Sequence, residues 1–261
     1  MDPAAAIARL WELAPALLLA LCRLGALFFT APLLGGPFVP VRVKVWLTLA
    51  IAVVALPTLA PHLPAALPSD GRYLLLIAAE LAIGAAIGFS ASCVFEGVRT
   101  GGELINRYAG FTAAENFDPE SGIGEGPIGD LLMVGMVLIF LVADAHLYLI
   151  AALAMSYAAV PLGAFVVGPA VLQTAALASD QCLALAAAIS FPVLTVVLLI
   201  TVAEGVLTKA VPQINVLFIS FAVKILASLL VLYAAMPAIV GFMGQAVLIV
   251  RRLSEAMLLA L

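Results

Sequence analysis

Six ionisable side chains stand inside long apolar stretches of this 261-residue sequence, and their types could do chemistry. They are Arg23, Glu80, Asp144, His146, Glu204 and Lys224. A carboxylate and an imidazole in an apolar segment are typical of proton relays, because burying either group is costly without a role. Asp144 and His146 are two positions apart, so on one helix they point about 200° away from each other. We therefore expect each to hydrogen-bond at a helix end or to another helix.

Three of these residues are the only charges in their segments. Arg23, Glu80 and Lys224 each have apolar neighbours along the chain, and an unpaired charge there is strongly destabilising. We expect each of them to find a partner on another helix or on another chain. Glu204 lies near the end of a further apolar segment, and we expect the same kind of interhelical or intersubunit contact there.

The longest polar interval of the chain, Asn106 to Asp130, predicts a loop. Between Glu103 and Asp130 there are six acidic residues and one base, Arg107, with four glycines from Gly122 to Gly129. Glycine and proline at this density break helices and strands. Six ionised carboxylates at a bilayer centre would cost very roughly 18 kcal/mol, so this interval cannot lie in lipid. Its aromatic residues give it something to pack with, which argues against disorder.

Composition indicates an integral membrane protein. Hydrophobic residues make up 66% of the chain and charged residues 10%, with a net charge of −4, and the mean hydropathy is +1.26. Such a composition excludes a soluble domain, and the lack of a basic patch excludes nucleic acid as a partner. The three cysteines are far apart in apolar sequence and predict neither disulfides nor a metal site. No catalytic or cofactor-binding motif occurs, so we expect no enzyme activity and no cofactor.

Apolar periodicity and length predict an all-α membrane protein built from helical hairpins, as one domain over residues 1–261. About six apolar segments are expected, covering residues 13–34, from 45, 73–95, from 128, 181–207 and 216–250. The third should stay helical to Arg107, and its Gly84 and Gly88 should let a second helix approach closely. Asp144 and His146 should interrupt the fourth segment, and Pro237 the sixth. The positive-inside rule gives four bases against five, so either a segment is miscounted or the helices are not simple spans.

Four stretches of the sequence resemble the FliR/SctT family of type III export-gate proteins. They are FVPVRVKVWLTLAIA (Phe38 to Ala52), FDPESG (Phe117 to Gly122), DAHLYLIAALAMSYAAVPLG (Asp144 to Gly163) and VPQINV (Val211 to Val216). Their order and spacing match the family along nearly the whole chain. The family often has Asp-Gly-His where this chain has Asp144-Ala145-His146, and a proline at Ala222-Val223. These departures leave both flagellar and injectisome membership open.

The resemblance implies a non-enzymatic subunit of a protein-export channel in the bacterial inner membrane, at the basal body of a flagellum or secretion apparatus. It implies assembly with FliP-like and FliQ-like subunits and an FlhB-like protein, around a path for unfolded export substrates. It also implies that the central loop plugs the lumen. The residues that this assigns to the plug are Gly110, Phe111, Phe117, Asp118, Pro119 and Gly122.

Two alternatives remain open at the level of the sequence. A proton-coupled secondary transporter would use Asp144, His146 and Glu204, but the chain lacks a paired inverted repeat of broken helices. A purely structural nucleator would template the assembly, with the central loop as a connector only. Replacing Phe111 and Phe117 by alanine separates the nucleator from the plug, because assembly would survive while sealing would fail.

Overall fold

The architecture is described from a computed structural model, which describes residues 3–32, 39–59, 71–111, 126–162, 169–210 and 216–260. Within these ranges the regular structure is entirely α-helical, so the predicted all-α class is confirmed. The helices are α1 (Pro3–Thr30), α2 (Val41–Leu59), α3 (Arg72–Ala109), α4 (Pro127–Val142), α5 (Ala145–Ala159), α6 (Pro169–Ala210) and α7 (Val216–Ala260).

Three of the described helices are long and apolar enough to cross a membrane: α3, α6 and the part of α7 from Ile219. The count rises to four if the bent pair of α4 and α5 forms one span. An apolar layer about 30 Å thick needs about 20 residues of helix, and each of the three exceeds that length. The composition and these helices confirm a membrane protein, while six spans stay a prediction.

Two helix boundaries differ from the sequence prediction. Helix α6 begins at Pro169, well before the predicted start at Gln181. Proline fits the first turn of a helix, and no charged residue next to Pro169 indicates a helix boundary in the sequence. Helix α7 runs through Pro237 and on to Ala260, although an interruption at Pro237 and an end at Val250 were predicted. Arg251 continues that helix by pairing with Glu255 one turn later, with Nε 2.9 Å from Oε1.

The predicted interruption of the fourth segment lies at Asp144. Its backbone has φ +52°, the only positive φ among the described non-glycine residues, and it separates α4 from α5. Aspartate tolerates this left-handed conformation better than most residues. Asp144 therefore precedes α5 rather than lying within a helix, so the 200° relation to His146 was the wrong geometry.

The chain divides into two compact units. The first unit comprises Met1–Ser92, Asp144–Ala178 and Val250–Leu261, and the second comprises Cys93–Ala143 and Ser179–Ile249. The core of the first unit is aliphatic and aromatic, with Leu24, Ile83 and Met257 fully buried. In the second unit Phe95 and Phe140 meet edge to face, with ring centroids 5.1 Å apart. The single domain over residues 1–261 stays a prediction.

Glycines on α3 allow close helix packing in both units. In the first unit a Cβ on Gly84 would collide with the carbonyl oxygen of Arg23, so α1 and α3 touch backbone to backbone. In the second unit a Cβ on Gly97 would lie 2.7 Å from the carbonyl oxygen of Cys182 on α6. The small-residue spacing thus serves the close approach that it predicted for Gly84.

Candidate functional site: the base of the central loop and two interhelical ion pairs

The exit from α3 into the central loop is a glycine-terminated helix end. Gly110 has φ +91°, and the N–H of Phe111 donates to the carbonyl oxygen of Asn106 at 3.0 Å. A left-handed glycine followed by this six-to-one hydrogen bond closes the last turn of a helix. Gly110, which the resemblance assigns to the plug, therefore also terminates α3.

The return from the loop into α4 begins at Gly126 and Pro127. Gly126 has no side chain with which to cap the helix. The N–H of Ile128 instead donates to Oδ1 of Asn106 on α3, at 3.1 Å. Asn106 is 1% exposed, so this cap from another helix is buried. One asparagine thus contacts both ends of the loop.

Three glycines let α3 and α4 meet at this point. A Cβ on Gly126 would collide with the side chain of Asn106, and a Cβ on Gly102 would lie 2.6 Å from the Cα of Gly129. A larger residue at Gly102 would require movement of backbone, and one at Gly126 would displace the Asn106 side chain. Gly126 and Gly129 were predicted as part of a flexible loop, but both are packing positions at its base.

The helices also shorten the predicted loop. Asn106 to Ala109 lie in α3 and Pro127 to Asp130 lie in α4, so the interval between the two helices runs from Gly110 to Gly126. Gly110 packs near Phe221 of α7, whose Cδ1 would lie 3.0 Å from a Cβ there. Phe111 is half-buried. The other predicted plug residues lie outside the described residues: Phe117, Asp118, Pro119 and Gly122.

Arg23 and Glu80 meet in the first unit. Nε of Arg23 lies 2.6 Å from Oε2 of Glu80, and both side chains have 0% exposure. The two other guanidinium nitrogens donate to the end of α5: Nη1 to the carbonyl and hydroxyl oxygens of Ser156 at 2.9 and 3.2 Å, and Nη2 to the carbonyl of Val160 at 3.1 Å. Arginine satisfies a carboxylate and a helix C-terminus at once, which one ammonium could not do in this geometry.

Tyr157 completes this polar cluster of α1, α3 and α5. Its ring lies under the guanidinium carbon of Arg23, with 4.6 Å between that atom and the ring centroid. Its hydroxyl donates to the carbonyl oxygen of Ala20 at 3.0 Å. The cation–π contact and the hydrogen bond both hold α5 against α1. We call Arg23, Glu80, Ser156, Tyr157 and Val160 the arginine cluster.

Lys224 and Glu204 meet in the second unit. Nζ of Lys224 on α7 lies 2.8 Å from Oε2 of Glu204 on α6, and the two side chains are 17% and 18% exposed. Oε1 of Glu204 is buried and has no hydrogen-bond partner among the described residues. This pair links the two helices but leaves one carboxylate oxygen unsatisfied.

Asp144 and His146 make no hydrogen bond to each other among the described residues, so the proton relay stays a hypothesis. Asp144 is exposed and its side chain makes no capping hydrogen bond. Nδ1 of His146 is buried without a hydrogen-bond partner among the described residues. No group of three or more metal-ligating side chains occurs in those residues either.

Sequence reasoning missed three residues of these sites: Asn106, Ser156 and Tyr157. An asparagine in the last turn of a helix looks like a stop signal, and its link to α4 depends on a contact across 22 positions. Ser156 contributes mainly a backbone carbonyl, which no side-chain pattern reveals. An uncharged amide four positions after the glycine pair Gly101-Gly102 is the signal that could have pointed to Asn106.

Comparison with known proteins decides the family. The sequence pattern of a family described as "Bacterial export proteins, family 1" matches residues 14–249. The chain belongs to this family. The match begins within α1, ends within α7 and includes the central loop.

Relatives of the chain include flagellar biosynthetic proteins and a protein named for the surface presentation of antigens. "Flagellar biosynthetic protein FliR" of Escherichia coli (strain K12) is 30% identical, over 85% of this chain and 84% of its own length. The protein of the same name from Bacillus subtilis (strain 168) is 28% identical, over 87% and 88%. "Surface presentation of antigens protein SpaR" of Shigella sonnei is 23% identical, over 81% of each chain. The resemblance to the FliR/SctT family is thereby confirmed, and as an export protein of this family the chain is not an enzyme.

Proposed function

We propose that the chain is a subunit of a type III protein-export gate in the bacterial inner membrane, in which the central loop plugs the lumen. The observation that carries the proposal is the family match over residues 14–249, with relatives named for flagellar biosynthesis. The two flagellar relatives described above share 30% and 28% identity with the chain, against 23% for SpaR, which favours a flagellar gate. The injectisome counterpart is the alternative.

Charge supports a watery location for the loop. The interval between α3 and α4 has four acidic residues, Glu115, Asp118, Glu120 and Glu125, and ionised carboxylates in hydrocarbon are expensive. Irregular backbone at membrane depth is tolerated only where it is enclosed in protein or lines a water-filled path. A lumen between subunits would provide such a path, and a segment fixed at both ends would obstruct it.

Exposed apolar surface supports assembly with other subunits. On α6 and α7 many large side chains are exposed, including Leu199, Val202 and Leu230. The Lys224–Glu204 pair lies on the same two helices, and its unsatisfied carboxylate oxygen is costly next to lipid. FliP-like and FliQ-like subunits and an FlhB-like protein are the partners we propose, with unfolded export substrates passing through the centre.

Removal of residues 112–122 from the assembled gate tests the plug. The deletion keeps Gly110 and Phe111, which close α3, and Gly126, which packs at the start of α4. We expect a large increase in the resting permeability of the membrane to ions and small solutes. A segment of the same length rich in glycine and serine serves as the control for chain length. Unchanged resting conductance, with partners still co-purifying, would disprove the plug.

The same preparation separates the gate from a proton-coupled transporter. A transporter built on Asp144, His146 and Glu204 would move a solute in liposomes that contain this chain alone. A gate subunit would show stable conductance only together with its partners. Proton-driven solute uptake by the isolated chain would therefore overturn the proposed function.

A further inference from the structure

Asn106 is the residue through which both ends of the central loop are tied. Its backbone carbonyl accepts the N–H of Phe111, where the chain leaves α3. Its side-chain Oδ1 accepts the N–H of Ile128, where the chain enters α4. The two hydrogen bonds are 3.0 and 3.1 Å long. The backbone at the end of α3 and the backbone at the start of α4 are thus both hydrogen-bonded to one residue.

The cap on α4 is unusual because it comes from another helix. A helix N-terminus is ordinarily capped by a serine, threonine, aspartate or asparagine directly before it. Gly126 holds that position here, and any Cβ on it would collide with the Asn106 side chain. A local cap is therefore excluded by the packing of the remote one. A local cap would stabilise α4 alone, whereas this cap also fixes α4 to α3.

The amide of Asn106 is only half satisfied. Nδ2 is buried without a hydrogen-bond partner among the described residues, in a side chain that is 1% exposed. An unsatisfied buried donor destabilises the fold, so this side chain is not the best choice for stability alone. An asparagine that is present despite this loss of stability indicates that the arrangement of α3 and α4 requires it.

We propose that Asn106 is a positioning residue that fixes the separation of the two ends of the central loop by holding α3 against α4. This inference rests on the proposed plug, because a loop that seals a lumen needs its two ends held at a fixed separation. The fixed part is the crossing of α3 and α4 at Gly102, Asn106, Gly126 and Gly129. The closest contacts there are backbone to backbone or side-chain amide to backbone, while Cγ of Glu103 would lie 3.8 Å from a Cβ on Gly129.

Spin labels on the two helices measure the separation directly. Tyr108 on α3 and Leu131 on α4 are 56% and 57% exposed, so both accept a label in a variant without Cys22, Cys93 and Cys182. The measurement is made on the full chain in the assembled gate. We expect one narrow distance distribution for the parent protein.

Asn106→Leu preserves the shape of the side chain and removes the acceptor. We expect about a fivefold rise in the population with separated ends, equivalent to the loss of a cap of about 1 kcal/mol. Asn106→Asp keeps an acceptor oxygen and adds a negative charge that the N-terminus of α4 stabilises, so the distribution should stay narrow. Ser90→Ala is the matched control, since it removes a buried hydrogen bond of 2.7 Å to Ile87 within α3 alone.

Gly126→Ala reaches the same state by another route, because the added methyl displaces the Asn106 side chain. An unchanged distribution in Asn106→Leu would overturn the proposal. So would loss of the folded chain in both Asn106→Leu and Gly126→Ala with Asn106→Asp folded, since the residue would then serve helix stability alone. Resting conductance should rise in Asn106→Leu and Gly126→Ala, and stay low in Asn106→Asp and Ser90→Ala.

The two readouts separate this inference from the proposed function. If removal of residues 112–122 leaves the gate sealed, the plug fails while the label distances still decide the role of Asn106. If that removal makes the gate leak but Asn106→Leu neither separates the helices nor leaks, the plug stands and the positioning role fails.

Discussion

The two interhelical ion pairs both neutralise charges in apolar surroundings, but they satisfy the hydrogen-bonding groups of those charges to different degrees. Arg23 in the first unit places all three guanidinium nitrogens on acceptors and has no exposed surface. Lys224 in the second unit reaches one oxygen of Glu204 and leaves the other buried and unpaired among the described residues. A planar guanidinium can serve a carboxylate and a helix end together, whereas an ammonium acts as a point charge. The first pair is thus complete within one chain, and the second is left with capacity for a further donor.

Among the substitutions that test this comparison, we expect the largest loss of stability in the arginine cluster. Arg23→Met removes the guanidinium from the Glu80 carboxylate and from the end of α5, and should lower the free energy of unfolding by about 3–5 kcal/mol. Titration of the membrane-extracted chain with a denaturing detergent measures the change. The double variant Arg23→Met, Glu80→Gln should recover part of it, because no buried charge is then left without its partner. Full stability of the single variant would contradict the role assigned to the pair.

Lys224→Met should have an intermediate effect. The pair is partly exposed and incompletely satisfied, so we expect a loss of about 1–2 kcal/mol, between the values for surface and buried pairs. Glu204→Gln with Lys224→Met is the matched control and should restore most of the stability. The same titration on the assembled gate sharpens the comparison, because a donor from a partner would make the effect larger there than in the isolated chain. Equal losses of stability in Lys224→Met and Arg23→Met would show that the difference in exposure does not determine how much each ion pair stabilises the fold.

Arg251→Gln should have the smallest effect of the three. Arg251 pairs with Glu255 one turn later on α7, and both side chains are more than half exposed, at 54% and 55%. The guanidinium also lies over the Tyr148 ring, with its central carbon 5.0 Å from the ring centroid. Water screens such a pair, so the unfolding titration should not move measurably. A clear loss of stability would contradict the small contribution expected of an exposed ion pair.

Sequence alone could predict the class of the fold and the residues that needed partners. Apolar length gave the helices, and single charges in apolar segments marked Arg23, Glu80 and Lys224. It could not predict which charges meet, since Arg23 and Glu80 are 57 positions apart and their approach depends on Gly84. It also placed the loop boundaries too far out on both sides, because Gly126 and Gly129 look like turn residues whether they bend the chain or let two helices touch.

The break at Asp144 has a consequence for the thickness of the apolar layer around it. Helix α4 has 16 residues and α5 has 15, so at about 1.5 Å of rise per residue they are about 24 and 22 Å long. Neither alone spans a hydrocarbon layer about 30 Å thick. Unless the two helices together form one bent span, a bilayer in contact with this stretch must become thinner there, or neighbouring protein must take the place of lipid beside the turn.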